Sequence, residues 1–185
     1  MDLRAGEDGV LVLCTANRCR SPIAAALLAG LLGDVPAVSS AGFLEPGLPV
    51  PPEGVAALPA CAPELAAHRS RRVDAAALTA AGLVVTMERA HVRDAAVLAP
   101  ACWPRTFPLV DLAARVQRVG GRLPGEGLRA YAARLHEGRR LDSVLRGSAA
   151  DDVADPMGQS GAAYVRTAEE LRRLLEPVAA ALRPR

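Results

Sequence analysis

The sequence predicts an α/β fold: one domain of 185 residues carrying a four-stranded parallel sheet flanked by helices on both faces, with a helical insertion over roughly 111–150, before a late acidic loop. Three observations predict it. Short runs rich in valine and leucine alternate with helical patterns along the chain, as strands do when crossover helices join them in a parallel sheet. The first run is continuously apolar rather than alternating, which suits a strand covered on both faces. The composition is 51% hydrophobic but only 3% aromatic, so the core must be built from Ala, Leu and Val, over a length suited to one domain.

The elements follow in order. Residues 10–13 form the first strand. A loop leads into a helix over 22–32, with Ser21 placed to cap it, Pro22 at its first position and Gly33 as its stop. A second strand covers 35–41 and runs into Ser39-Ser40-Ala41-Gly42. Six prolines (Pro46, Pro49, Pro51, Pro52, Pro59 and Pro63) then make a loop around a short helical stretch near 53–58. Residues 74–80 are weakly helical, 83–87 form a third strand and 88–98 the next helix. A short fourth strand falls within 105–110. Arginine-rich helices are expected over 111–119, 126–137 and 141–145, as solvated surface helices rather than a basic lid. A polar loop, Asp151 to Gly158, precedes a closing helix over 162–182. Its Tyr164, Ala168, Leu171, Leu175, Val178 and Leu182 recur at helical spacing and read as core.

Charge and cysteine content narrow the function. All 22 basic residues are arginine, set among 20 acids for a net charge of +2, which argues against a nucleic-acid partner. No apolar run is long enough for a membrane span and no secretory signal is present, so no membrane partner and a cytoplasmic location are expected. The pattern assigns no oligomeric state. Cys14, Cys19, Cys61 and Cys102 show neither disulfide-scaffold nor zinc spacing, and no metal or cofactor is implied.

Chemistry concentrates between the first strand and first helix, in Cys14-Thr15-Ala16-Asn17-Arg18-Cys19-Arg20-Ser21-Pro22. A loop entering a helix N-terminus presents free N–H groups and the positive end of a dipole, which is an anion site. Such a setting, with a nearby cation, lowers a thiol's pKa and favours the nucleophilic thiolate. Arg20 offers a planar fork to two oxygens of a tetrahedral anion. Ser21 can hydrogen-bond the sulfur and improve it as a leaving group. Cys14 also fits a small buried hydrophobe at a strand end. A leaving oxygen needs a proton, and Asp155, held extended by the following proline, is the best candidate acid. Asp151 and Asp152 are rivals, and Asp155-Pro156 also fits a simple turn.

These residues resemble the low molecular weight protein tyrosine phosphatases. The likeness rests on the Cys14–Pro22 stretch near the N-terminus and Asp155-Pro156-Met157-Gly158 before the last helix. Ser39-Ser40-Ala41-Gly42, His68-Arg69-Ser70-Arg71 and Val85-Thr86-Met87-Glu88 lie between them in family order. The resemblance implies hydrolysis of phosphate monoesters, phosphotyrosine foremost, with Cys14 as the nucleophile that becomes phosphocysteine. It implies that Arg20 and the amides of Thr15, Ala16, Asn17, Arg18, Cys19 and Arg20 bind phosphate, and that Asp155 is acid, then base. Asn17, Ser21, Ser40 and His68 match a polar network under the loop. Cys19 matches a second loop cysteine that pairs oxidatively with the nucleophile. Members often carry two tyrosines after Asp-Pro as a wall for the substrate ring; here Met157 and Gly158 stand there, and Phe43 is a candidate for the opposite wall. The stretch from Met87 to Asp155 is longer than is usual in the family. The implied partner is a phosphotyrosine protein or a small aryl phosphate. Two other functions fit parts of the pattern: a thiol-dependent arsenate reductase, which would need Cys61 or Cys102 as relay, and a non-catalytic phosphoanion or redox-sensing module.

Overall fold

The computed structural model describes residues 9–33, 37–140, 142 and 151–183. Four parallel strands, β1 (Val10–Cys14), β2 (Val38–Gly42), β3 (Leu83–Thr86) and β4 (Thr106–Pro108), form one sheet in the order β2-β1-β3-β4. β1 is paired on both sides, Cys14 with Gly42 of β2 and Leu13 with Thr86 of β3. The chain leaves β1 toward β2 on one side and continues to β3 on the other. The carboxyl end of β1, where Cys14 sits, is therefore the switch point at which open α/β sheets form ligand crevices.

Eight α-helices are described: α1 (Arg20–Leu32), α2 (Pro52–Ala56), α3 (Ala62–Ala67), α4 (Ala75–Ala80), α5 (Arg89–Leu98), α6 (Leu109–Val119), α7 (Leu128–His136) and α8 (Gly161–Leu182). Side chains alternate across β1. Val10, Val12 and Cys14 join the larger core under α1, α6 and α8, while Leu11 and Leu13 enter a second core with Leu78 of α4 and Ala95 of α5. The stripe on α8 is buried along its length, as its spacing requires. Among the described residues no helix is long and apolar enough to cross a membrane.

Several local expectations are corrected. α1 begins at Arg20, two residues before Pro22, and no side chain caps it; the Ser21 hydroxyl is engaged elsewhere. The described part of the second strand begins at Val38. The proline-rich loop holds α3 and a 3-10 turn (Pro59–Cys61) besides α2, and a second 3-10 turn (Pro100–Arg105) precedes β4. β4 ends at Pro108, and α6 takes residues 109 and 110.

The arginine-rich helices are core elements rather than a solvated surface. α6 buries Leu109, Leu112 and Val116, and α7 buries Leu128, Tyr131 and Leu135. Their arginines latch them in place. Arg115 pairs with Asp111 at 2.8 Å, Arg134 pairs with Glu126 at 2.7 Å, and Arg139 lies between the rings of Trp103 and Phe107. Burial, only partly offset by Asp111, pushes the Arg139 guanidinium down to about 10. The helix expected over 141–145 lies, apart from Asp142, outside the described residues.

The end of β2 carries a close backbone approach. A Cβ on Gly42 would stand 2.6 Å from the amide nitrogen of Asn17 and 2.8 Å from the Thr15 carbonyl oxygen. Those atoms are backbone and cannot rotate away. Gly42→Ala should displace the loop after Cys14, destabilising the protein by about 1–3 kcal/mol and lowering the phosphate-ester turnover that the resemblance implies by about a hundredfold. Urea denaturation and para-nitrophenyl phosphate turnover of the variant read both effects, and unchanged turnover would show that the loop does not depend on this approach.

Candidate active site

Cys14 ends β1 and Arg20 begins α1, and the loop between them curls over Gly42. Asn17 makes this curl, with a left-handed φ of 52° that asparagine tolerates better than most residues. It is pinned on every side. Its Nδ2 donates to Ser21 Oγ (3.0 Å) and Ser40 Oγ (2.9 Å), and its Oδ1 accepts from the Arg71 amide (2.9 Å). Its carbonyl oxygen lies 2.8 Å from His68 Nε2, and because a carbonyl only accepts, His68 carries its proton on Nε2. Burial is the main cause holding His68 below its ordinary pKa, against the opposing pull of that hydrogen bond. The structure thus brings Asn17, Ser21, Ser40 and His68 together.

Ser21 links this network to the nucleophile candidate. Its Oγ accepts from Asn17, so its own proton is available to Cys14 Sγ at 3.0 Å or to the more distant Ala41 carbonyl at 3.4 Å. The N–H groups of residues 16–19 donate to no other group among the described residues, which leaves the loop, with the α1 N-terminus, the unpaired donors and partial positive charge that suit an anion. Cys19 is buried next to it. Burial, then the charges of Asp155 and Cys14, push its thiol up to about 12.

Arg20 is 2% exposed, yet every described contact of its guanidinium is polar. Nη1 donates to a Glu88 carboxylate oxygen and to the Val153 carbonyl at 3.0 Å. Nη2 donates to Asp155 Oδ2 at 2.7 Å and to Thr15 Oγ1 at 3.3 Å. Two carboxylates and a carbonyl make burial of this cation tolerable and fix its fork. Backbone bonds bring the distant partners in: Met87 N donates to Leu13 O, and Val153 N donates to Met87 O, so the acidic loop is tied to the end of β3 beside β1.

The three aspartates have distinct settings. Asp155 has a 43% exposed side chain, and its Oδ1 accepts from the Met157 amide at 3.0 Å in a short turn. Asp152 accepts from the Arg89 amide at 2.8 Å and pairs with the Arg89 side chain at the start of α5. Asp151 lines a cleft of about 270 Å³ with Arg89, Asp111 and Arg115. Asp155 is the one whose contact with Arg20 is seen among the described residues. Around the rim, Phe43 stacks on His91 with ring centroids 5.5 Å apart, and Met157 receives the Tyr164 hydroxyl at its sulfur at 3.7 Å. Ala16 and Arg18 are half-buried, and Arg18 turns outward, donating to the Pro49 carbonyl at 3.0 Å. Among the described residues no group of three or more His, Cys, Asp or Glu side chains is placed to hold a metal.

Sequence reasoning missed Glu88, Arg71, His91 and the steric role of Gly42. Glu88, Arg71 and Gly42 stood within the motifs that carry the resemblance, but their partners lie far along the chain, and no local spacing signals such contacts.

Residues 9–119 match the family of low molecular weight phosphotyrosine protein phosphatases. The "Probable low molecular weight protein-tyrosine-phosphatase EpsP" of Ralstonia nicotianae is 28% identical over 103 residues, which are 56% of this chain and 71% of that protein. Among solved structures, the low molecular weight protein tyrosine phosphatase from T. tengcongensis is 27% identical with a TM-score of 0.68, over 95% of this chain and 99% of that one. The YwlE arginine phosphatase from Geobacillus stearothermophilus is 27% identical with a TM-score of 0.66, over 94% of this chain and 91% of that one. The match spans the sheet, the loop after Cys14 and α1 to α6, and the chain belongs to the low molecular weight phosphotyrosine protein phosphatases, cysteine-based phosphate hydrolases.

Proposed function

We propose that Cys14 is the nucleophile, that Arg20 and the amides of residues 15–20 cradle the phosphate, and that Asp155 moves the proton in both steps. The preferred substrate is a phosphotyrosine protein, handled in the cytoplasm, where the free thiols of the chain stay reduced. One observation carries this reading: Arg20 Nη2 reaches Asp155 at 2.7 Å from the same short loop that sets Cys14 Sγ 3.0 Å from Ser21 Oγ.

A phosphate oxygen taking Arg20 Nη2 frees the half-exposed Asp155 carboxyl to turn to the leaving oxygen. The Cys14 sulfur attacks phosphorus, the bond to the ester oxygen breaks, and Asp155 supplies that oxygen's proton. Water then attacks the phosphocysteine, Asp155 takes its proton, and the departing thiolate is met by the Ser21 hydroxyl. Glu88 and the Val153 carbonyl keep the guanidinium oriented throughout. Phe43 and Met157 flank the substrate ring. Cys19, held protonated at rest by its surroundings, is the reserve thiol. Where peroxide has converted Cys14 to a sulfenic acid, the Cys19 sulfur attacks the Cys14 sulfur, the S–OH bond breaks, water leaves with the Cys19 proton, and a disulfide forms.

The distribution of thiols disfavours arsenate reduction. Cys102 is fully buried in the second core with its sulfur against the Ala95 carbonyl, while Cys14 lies in the core on the other face of the sheet. Cys61 is partly buried against the larger core, and burial raises its thiol pKa. A relay through Cys102 would have to cross the sheet.

Para-nitrophenyl phosphate and a phosphotyrosine peptide, assayed in the presence of EDTA, test this reading. Cys14→Ser should abolish turnover of both. Asp155→Ala should slow the peptide by about 10²–10⁴-fold and the nitrophenyl ester less, because a weakly basic leaving group needs less proton donation. Equal activity of wild type and Asp155→Ala on the peptide would remove Asp155 from the mechanism. Ser21→Ala should lower kcat by about tenfold or more by slowing thiolate departure, giving a fast burst of nitrophenol before slow turnover; no burst would place Ser21 outside the second step.

A further inference from the structure

His91 is buried, 3% exposed, and belongs to none of the motifs that mark the site. It stands in the first turn of α5 and touches the active-site rim twice. Its Nε2 lies 3.0 Å from the hydroxyl of Thr15, the residue after Cys14, and that hydroxyl also accepts from Arg20 Nη2. Its ring stacks on Phe43 with centroids 5.5 Å apart and planes 15° from parallel. Phe43 is itself anchored to the loop, since its amide and that of Leu44 both donate to the Thr15 carbonyl, at 2.7 and 3.2 Å. Among the described residues, the buried Nδ1 atom of His91 has no hydrogen-bond partner.

We propose that His91 is a positioning residue for aryl recognition, holding the Phe43 ring as one wall of the substrate slot and keying that wall to the loop through Thr15. The inference rests on the phosphatase reading above and deepens it by assigning what fixes the ring of an aryl phosphate. A phenyl group hinged only at its backbone samples several rotamers, whereas a parallel neighbour of similar size confines it to one. The same imidazole bonds a loop side chain, so wall and phosphate cradle are held by one rigid group. The charged neighbours facing it are Glu88, Arg20, Asp94 and Asp152. Burial outweighs the three carboxylates and holds the imidazole below its ordinary pKa of 6.5, keeping it neutral and suited to stacking. An orphaned Nδ1 is a cost that packing alone would remove by placing a leucine or phenylalanine here.

Two variants separate the contacts of His91. His91→Phe keeps a stacking ring and loses the bond to Thr15, while His91→Gln keeps a polar reach to Thr15 and loses the ring. The readouts are kcat and KM for phenyl phosphate and the inhibition constant of inorganic phosphate, which has no ring. The expected result is a rise in KM of about tenfold for His91→Gln, with kcat and phosphate inhibition within about twofold of wild type. His91→Phe should recover most of KM but leave it about two- to threefold above wild type, the part carried by the bond to Thr15. Phe43→Ala should raise KM as His91→Gln does, and adding His91→Gln to it should change nothing further, since the two rings act as one unit. A reversed order, with His91→Gln normal and His91→Phe impaired, overturns the proposal, as do additive effects or equal losses for phenyl phosphate and inorganic phosphate. Failure of wild type to hydrolyse phenyl phosphate, or full activity of Cys14→Ser, would instead strike the phosphatase reading.

Discussion

The site depends on one backbone constraint: Asn17 held at a left-handed φ by four hydrogen-bonded partners. A non-glycine residue in that region persists only when its surroundings over-determine it. Here both amide atoms of the side chain and the backbone carbonyl are occupied, by Ser21, Ser40, the Arg71 amide and His68. The curl so fixed leaves the N–H groups of residues 16–19 without other partners among the described residues and lets α1 begin directly at Arg20. Gly42 completes the constraint from below, because any larger residue would collide with the backbone of the curl. On the proposed mechanism, the phosphate cradle is therefore organised before a ligand arrives, which is where electrostatic catalysis draws its strength.

The sheet order brings the rest of the chemistry to that loop. β1 lies between β2 and β3, so the segments leaving both neighbours reach Cys14 from opposite sides. The β2 side supplies Gly42 and Phe43, and the bridge of Arg72 to Gly42 lays the 68–73 segment alongside, delivering His68 and Arg71. The β3 side supplies Glu88 and His91, and the bond from the Val153 amide to the Met87 carbonyl delivers Asp155. Arg20 takes both carboxylates that the β3 side delivers and is buried between Glu88 and Asp155. Removing either carboxylate would leave the cation poorly compensated, so orientation of the fork and tolerance of its burial are the same interaction viewed twice.

Much of this was legible in the chain, for local reasons. Cys14 and Arg20 share a loop, and the apolar run before them and the helix after them declare its topology. Asp155 was marked by the proline behind it. The start of α1 was misjudged because Ser21-Pro22 is a good helix entry by local rules, but the Ser21 hydroxyl binds sulfur and asparagine instead of capping. The apolar stripes of α6 and α7 were present at helical spacing and were outweighed by their arginines. Arg115 sits four residues after Asp111, a local pairing signal, whereas the pairing of Arg134 with Glu126 is revealed only by the folded chain. Glu88 beside Arg20 and His91 beside Phe43 are tertiary contacts with no periodic signal, and so no reading of spacing finds them.

On the proposed mechanism, the pre-shaped loop turns Cys14 into a phosphoryl acceptor. Rapid acid quenching during turnover of para-nitrophenyl phosphate, followed by peptide mapping by mass spectrometry, tests it most directly. The account predicts a phosphoryl group on the peptide containing Cys14, carried by that sulfur and absent from Cys19. Steady turnover with no phosphoenzyme at any quench time, or a phosphoryl group on another residue, would contradict it.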